Sequence, residues 1–293
     1  MAAGDAVQEI VISGGTSHDG GVRGGIRVAC LELEFPPVGL NDLLERITIR
    51  SMEGIRPAAE ALRDSVMSLT GLRVAAHANI ASKEPMVDDH GKILASEVFG
   101  WCDPGERWWE RPRLALTSPI TLACRYESEP FWCSSDGMHT QQYNPHLVGL
   151  DLTDFFERAM TEAAIVVPIH LPYGQIGAVS FQPLVPEKEG LGPKFAEFGE
   201  LLGMLSRKFV CSYVKVMDKA QWIPSDVKLS KREIECLRWA AVGKTDSEVG
   251  LILGRSCATI RFHIHNAAMK LNAVNRSQAV FKAGQLGYLG SVS

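Results

Sequence analysis

The C-terminal stretch, residues 228–290, constrains the fold most, because its polar residues mark the ends of several short helices. Two capping boxes of the pattern S/T-x-x-E begin at Ser230 and Thr245, and in each the two side chains satisfy free backbone N–H groups of a first helical turn. Gly243 and Gly254 follow the first two apolar runs, and glycine readily takes the left-handed conformation that ends a helix. The stretch therefore predicts four short helices separated by tight turns.

The third of these helices begins after Ser256 and has two unlike faces. Its apolar residues recur at helical spacing: Ile260, Ile264, Ala268 and Leu271. The opposite face carries Arg261 and His265, four residues apart, with Thr259 and His263 beside them. A recognition helix in the DNA major groove needs one side packed against its own domain and one side with long side chains that donate hydrogen bonds to DNA. The pattern therefore predicts a helix-turn-helix. The alternative is a small helical bundle with a solvated charged surface.

Charge is divided unevenly along the chain. From residue 228 onward ten basic residues oppose four acidic ones, a net charge of +6. The whole chain carries 30 basic and 34 acidic residues, so the first 227 residues carry 20 minus 30, or −10. A basic module suits phosphate binding, which gains free energy from counterion release, although +6 also fits an ordinary solvated surface.

Length and composition bound the class of protein. With 293 residues the chain has room for about two domains. Its seven cysteines form no C-x-x-C pair, which argues against a disulfide framework or structural zinc and fits a reducing cytoplasm. Residues 1–12 lack a basic start followed by an apolar run, so no secretory leader is expected. The uncharged stretch at 163–186 is interrupted by prolines and glycines, which favours a buried hairpin over a membrane span.

The pattern predicts four regions: a flexible extension (1–38), a sensor-like domain (39–217), a linker (218–227) and the helix-turn-helix domain (228–293). In the sensor-like domain it predicts helices at 40–50, 54–69 and 195–217, strand 72–80 paired with 93–101, and a hairpin at 165–181. The predicted fold class is α+β, with an N-terminal α/β/α sandwich followed by an all-α tetrahelical domain.

The C-terminal residues resemble a known family, the LuxR-type DNA-binding domains. The resemblance is carried by Leu229-Ser230-x-Arg232-Glu233, Ala241-x-Gly243-Lys244-Thr245, Glu248-Val249-x-x-Ile252-Leu253, Thr259-Ile260-x-Phe262-His263, Lys270-Leu271 and Asn275-Arg276-x-x-Ala279-Val280. It implies a transcription regulator in which Arg261 and His265 read bases and Lys270, Asn275 and Arg276 lie around the recognition helix. It also implies that the helix near 278–286 carries a dimer contact.

The first domain more faintly resembles the autoinducer-binding domain of quorum-sensing LuxR regulators. The points of likeness include Trp108-Trp109, Ser118-Pro119 and Pro130-Phe131-Trp132. The resemblance implies a small hydrophobic signal, such as an acyl-homoserine lactone, bound near Trp108, Trp109, Ser118 and Trp132. Ser118 stands where the family has an aspartate, and a hydroxyl is a weaker acceptor than a carboxylate, so a different ligand or none remains open.

Other chemistries find little support in the sequence. The sequence shows no combination of a nucleophile, a general base and a residue to orient that base, so we do not expect an enzyme. His139 and His146 lack further ligands at suitable spacing, so no metal site is expected, and no cofactor is implied beyond the signal. We expect a cytoplasmic homodimer that binds an inverted-repeat operator in double-stranded DNA and does not bind membranes. The alternative is a ligand-independent or partner-controlled regulator of the same type.

Overall fold

The computed structural model describes residues 39–82, 84–100, 117–185, 190–217 and 227–290. The predictions for residues 1–38, for Trp108 and Trp109, and for most of the linker fall outside the described residues. Within the described residues, no helix combines the length and the apolar character needed to cross a bilayer.

The elements follow in chain order. They are α1 (Leu40–Arg46), α2 (Ile55–Thr70), β1 (Leu72–His77), α3 (Leu94–Glu97), α4 (Pro119–Ala123), β2 (Phe131–Ser134), β3 (Gly137–Thr140), α5 (Pro145–Val148), α6 (Phe155–Ala159), β4 (Ala163–His170), β5 (Ile176–Pro183), α7 (Gly192–Met217), α8 (Lys231–Ala241), α9 (Asp246–Leu253), α10 (Cys257–Lys270) and α11 (Arg276–Gln285). The helices at 40–50, 54–69 and 195–217 and the hairpin at 165–181 are thus confirmed, with shifted ends.

The five strands form one antiparallel sheet in the order β1-β5-β4-β2-β3. Strand β4 is central, and residues 164–169 are all buried because both faces of the sheet are covered. Successive side chains of a strand point to opposite faces. Ile165 and Val167 accordingly join one apolar cluster with α2 and α7, while Ala164 and Val166 join another with α4 and α6. This layering is the predicted α/β/α sandwich.

The predicted pairing of strand 72–80 with 93–101 is wrong. Strand β1 pairs instead with β5, where Val74 lies opposite Phe181. The intervening segment is folded by Asp88, whose carboxylate accepts hydrogen bonds from the backbone N–H groups of His90 and Lys92 at 3.0 and 2.8 Å. That turn allows one β-bridge, between Val87 and Ile93, before the chain enters α3. A turn signal between two apolar runs indicates that the chain reverses, but not that the runs continue as a ladder.

Candidate nucleic-acid interface

The four C-terminal helices begin where their caps predict. The Ser230 N–H donates to Glu233 at 2.6 Å and the Thr245 N–H donates to Glu248 at 2.7 Å, each reciprocated by a bond to the cap hydroxyl. The Ser256 hydroxyl accepts from the Thr259 N–H at 3.1 Å and starts α10. Because these bonds join residues three apart in sequence, each helix start is specified without the help of a tertiary contact.

The connection between α9 and α10 is tight. Gly254 takes a left-handed conformation (φ 62°) and ends α9, and the Arg255 N–H donates to the Gly250 carbonyl at 2.8 Å. A Cβ atom at Gly250 would lie 2.7 Å from the Arg255 carbonyl oxygen, closer than such atoms normally approach. The absence of a side chain at Gly250 therefore sets how closely the turn packs on α9, and with it the position of α10.

Helix α10 presents one buried and one open face. Ile260 and Ile264 are buried with Val249 and Cys236, which ties α10 to α8 and α9. On the opposite side the Arg261 side chain is 72% exposed and His265 is also exposed. Thr259 and His263 lie at the margin and are half-buried. The structure thus brings Arg261 and His265 together on one accessible face, where a guanidinium and an imidazole can meet a partner.

The other predicted DNA contacts have partners inside the protein. The Lys270 ammonium donates to both Glu233 oxygens at 2.8 and 2.9 Å. The Asn275 side chain caps α11 by accepting from the Gln278 N–H at 2.8 Å. The Arg276 guanidinium donates to the Lys244 carbonyl and, at 3.1 Å, to Asp246. Asn275 is thus a local helix cap. Lys270 and Arg276 hold α10 and α11 in place, a role that motif spacing did not reveal because their partners lie 37 and 30 residues away in sequence.

The predicted signal-binding residues are not all on one side of the sheet. Ser118 is nearly buried at the start of α4, which packs with Phe131 and Cys133 of β2. Trp132 lies between those two residues in the strand and therefore points to the other face. There it stacks on His139, with ring centroids 3.8 Å apart, and packs against the cluster that contains α7. The structure does not bring Trp132 and Ser118 together.

Comparison with known proteins decides what the C-terminal helices are. Residues 227–283 match the family model of bacterial regulatory proteins, luxR family. The C-terminal domain belongs to the luxR family. Its matched residues include the two capping boxes, the open face of α10 and the Asn275 cap, so the helix-turn-helix predicted from the sequence is confirmed.

Several characterised proteins resemble longer parts of the chain. The transcriptional activator protein VanR of Vibrio anguillarum is 34% identical over 128 residues, which is 44% of this chain and 52% of VanR. The transcriptional activator protein AnoR of Acinetobacter nosocomialis is 27% identical over 189 residues, 63% of this chain and 75% of AnoR. A structure of SdiA in complex with octanoyl-rac-glycerol shares 18% identity with a TM-score of 0.45, covering 86% of this chain and 96% of SdiA. The match to VanR spans about half the length of that relative.

Within the luxR-family domain, Glu233 is the most enclosed carboxylate of the described residues, with a side chain only 5% exposed. Burial opposes its ionisation, but hydrogen bonds from Lys270 and from the Ser230 N–H outweigh burial and lower the pKa of Glu233 below its ordinary value. A depressed pKa means that the native state favours the ionised form. The resulting stabilisation is present above the unfolded-state pKa and is lost as the pH falls through the native pKa.

We expect Glu233→Gln to destabilise the luxR-family domain by about 1 kcal/mol near neutral pH, because one charge-assisted partner of Lys270 and Ser230 is lost. The difference from the unsubstituted protein should begin to shrink as the pH falls below the ordinary glutamate pKa of about 4.3, and should vanish only once the pH has passed below the lowered native pKa, where Glu233 is protonated in the folded chain as well. Amide hydrogen exchange of residues in α8 and α10 measures this local stability directly. A difference that stays constant with pH would contradict a role for the carboxylate charge.

Lys282 is one of the ten basic residues counted from residue 228 onward, and it is only 3% exposed. Its ammonium donates to the carbonyls of Leu271 and Asn272, at 3.2 and 2.6 Å. The carbonyls that end a helix lack partners within the helix, and a cation there also complements the helix dipole. Lys282 therefore closes the C-terminal end of α10 and fixes α11 against it.

Proposed function

We propose that the chain is a sequence-specific regulator of transcription that binds double-stranded DNA through the open face of α10. The observation that carries the proposal is the division of α10, with Ile260 and Ile264 buried and Arg261 and His265 exposed on the opposite side. A guanidinium forms two parallel hydrogen bonds to O6 and N7 of guanine, which is the commonest specific contact in the major groove. His265 lies one turn further along the same face and reaches a base edge or a phosphate.

We further propose that two copies bind one operator as a homodimer. Two-fold symmetry then requires an inverted repeat whose half-site centres are about 10 to 10.5 base pairs apart, so that both recognition helices enter the same side of the duplex. The exposed aromatic ring of Phe281 on α11 is apolar surface that a second copy would cover.

The test is selection from a pool of random duplexes with the full chain, followed by titration of the selected sequence and a scrambled one at fixed salt. Fixed salt matters because phosphate contacts change affinity steeply with ionic strength. Recovery of an inverted repeat that binds at least about 1,000-fold more tightly than the scrambled duplex supports the proposal. Equal binding to all duplexes would contradict it.

We also propose that the sandwich domain takes a small, uncharged, apolar signal at the face of the sheet that carries α4. A cluster of buried apolar side chains meets there, including Phe131, Val166 and the thiols of Cys124 and Cys133. Burial raises the pKa of Cys124 to about 12 and also raises the pKa of Cys133, so both thiols are uncharged near neutral pH. Ser118, at the edge of the same face, offers a hydroxyl in place of a carboxylate. An apolar environment of this kind disfavours a charged ligand.

A ligand that binds only the folded chain stabilises it, by about 1.4 kcal/mol at ten times its Kd. We therefore expect the thermal midpoint to rise with concentration for at least one member of a panel of acyl-homoserine lactones and other neutral acyl compounds. Ser118→Ala should reduce this rise in the thermal midpoint. Ser134→Ala should not, because Ser134 lies on the face of β2 that points away from α4. No shift across the panel, and no small molecule co-purifying with the protein in native mass spectrometry, would favour a ligand-independent or partner-controlled regulator.

A further inference from the structure

The Asp246 carboxylate joins three parts of the luxR-family domain. It is the first residue of α9, and one oxygen lies 3.1 Å from Arg276 Nη1 at the start of α11. The other oxygen lies 3.4 Å from Nε of Arg261 on α10. Arg276 also donates a hydrogen bond to the Lys244 carbonyl. Asp246 therefore contacts an anchored guanidinium, that of Arg276, on one side and the exposed Arg261 on the other.

The side of the Arg261 guanidinium that faces Asp246 matters for recognition. A guanidinium carries five N–H donors in a planar fork. The atom of Arg261 that pairs with Asp246 is Nε, at 3.4 Å, which leaves the two terminal nitrogens to act as a pair of donors. A pair of parallel donors is what the O6 and N7 atoms of guanine accept. The Asp246 charge therefore favours the orientation of Arg261 in which the terminal nitrogens are left to read a base.

The charge of Asp246 also has a consequence for affinity. A carboxylate beside the reading face repels the phosphate backbone, so it lowers the affinity for any DNA regardless of sequence. Repulsion that acts on every duplex alike leaves the free-energy difference between right and wrong sequences unchanged, so any effect of Asp246 on specificity comes from the orientation of Arg261.

We propose that Asp246 is a positioning residue that sets base specificity by holding Arg261, an inference that rests on the function proposed above. Asp246 itself touches no DNA base in this account. Its effect on recognition passes through Arg261 alone, and this distinguishes it from a residue that only stabilises the fold.

The test compares Asp246→Asn with Glu235→Gln in the full chain. Glu235 pairs with Arg232 on α8, so its substitution removes the same charge from the same domain without touching Arg261. Titration of Arg261→Ala first identifies the base pair at which that variant loses its preference. Each variant is then titrated at fixed salt with the selected operator and with operators changed at that base pair. Asp246→Asn should lower discrimination at that base pair about three- to tenfold and Glu235→Gln should leave it unchanged. Binding to scrambled DNA should become tighter in both.

The double variant Asp246→Asn with Arg261→Ala separates positioning from other roles. For this comparison the readout is the preference for the whole operator over the scrambled duplex, part of which Arg261→Ala retains. If Asp246 acts through Arg261, Asp246→Asn lowers this preference in the unsubstituted chain and leaves it unchanged in the Arg261→Ala background. An equal loss in both backgrounds, or unchanged discrimination in Asp246→Asn, overturns the inference while the proposed function stands. If the unsubstituted chain prefers no sequence, the proposed function itself fails. Thermal midpoints monitor folding, and Asp246→Ser provides a second neutral variant should Asp246→Asn not fold.

Discussion

Arg261→Ala is expected to weaken binding to the selected operator by about 1 to 3 kcal/mol, roughly 5- to 150-fold, and to relax preference at one base pair in each half-site. The reason is the loss of a bidentate donor from the open face of α10, while the buried residues that hold this helix are untouched. Titrations of the operator and of single-base variants, at fixed salt, measure both effects.

Arg232→Ala is the matched control, because it also removes one exposed guanidinium from the luxR-family domain but lies on α8 and pairs with Glu235. It should alter affinity for all duplexes alike and leave the base preference unchanged. If Arg261→Ala kept full affinity and full preference, the assignment of the open face of α10 as the reading surface would be wrong.

The second large effect is expected at Gly250. In Gly250→Ala the new methyl group meets the Arg255 carbonyl oxygen, a backbone atom that moves only with the turn. Overpacking of this kind costs about 1 to 3 kcal/mol, more than the roughly 0.5 to 1 kcal/mol that alanine gains over glycine within a helix. Because the turn positions α10, operator affinity should fall together with the stability of the domain.

Gly284 provides the control for this substitution. It lies near the end of α11, and a Cβ atom there would have no neighbour within 4 Å. Gly284→Ala should therefore stabilise the domain by about 0.5 kcal/mol through helix propensity alone. The free energy of urea unfolding, together with amide hydrogen exchange in α9 and α11, distinguishes the two variants. Equal behaviour of the two would contradict the close approach at Gly250.

The parts of the structure that were predictable depend on neighbours in sequence. The capping boxes at Ser230 and Thr245 and the spacing of Ile260 and Ile264 specify helix starts and a buried face within a few residues, and the structure follows them. The open face of α10 follows from the same spacing, because residues that are not on the buried side of a helix lie on the other.

The parts that were missed depend on distant partners. β1 pairs with β5, more than one hundred residues later, and no local pattern near Leu72 indicates that choice. The face on which Trp132 lies follows from the register of β2 against β4, which a one-residue shift would reverse. The bonds from Lys270 to Glu233 and from Arg276 to Asp246 likewise join helices whose packing had to be known first.

Methylation interference with the full chain on its selected operator tests most directly whether α10 reads bases through Arg261. Methylation of guanine N7 removes the acceptor that the guanidinium would use in the major groove. We expect methylation of one guanine in each half-site to block the unsubstituted protein, and the Arg261→Ala protein to be indifferent to methylation at that guanine. The same interference pattern for both proteins, at protein concentrations matched for occupancy, would contradict the account.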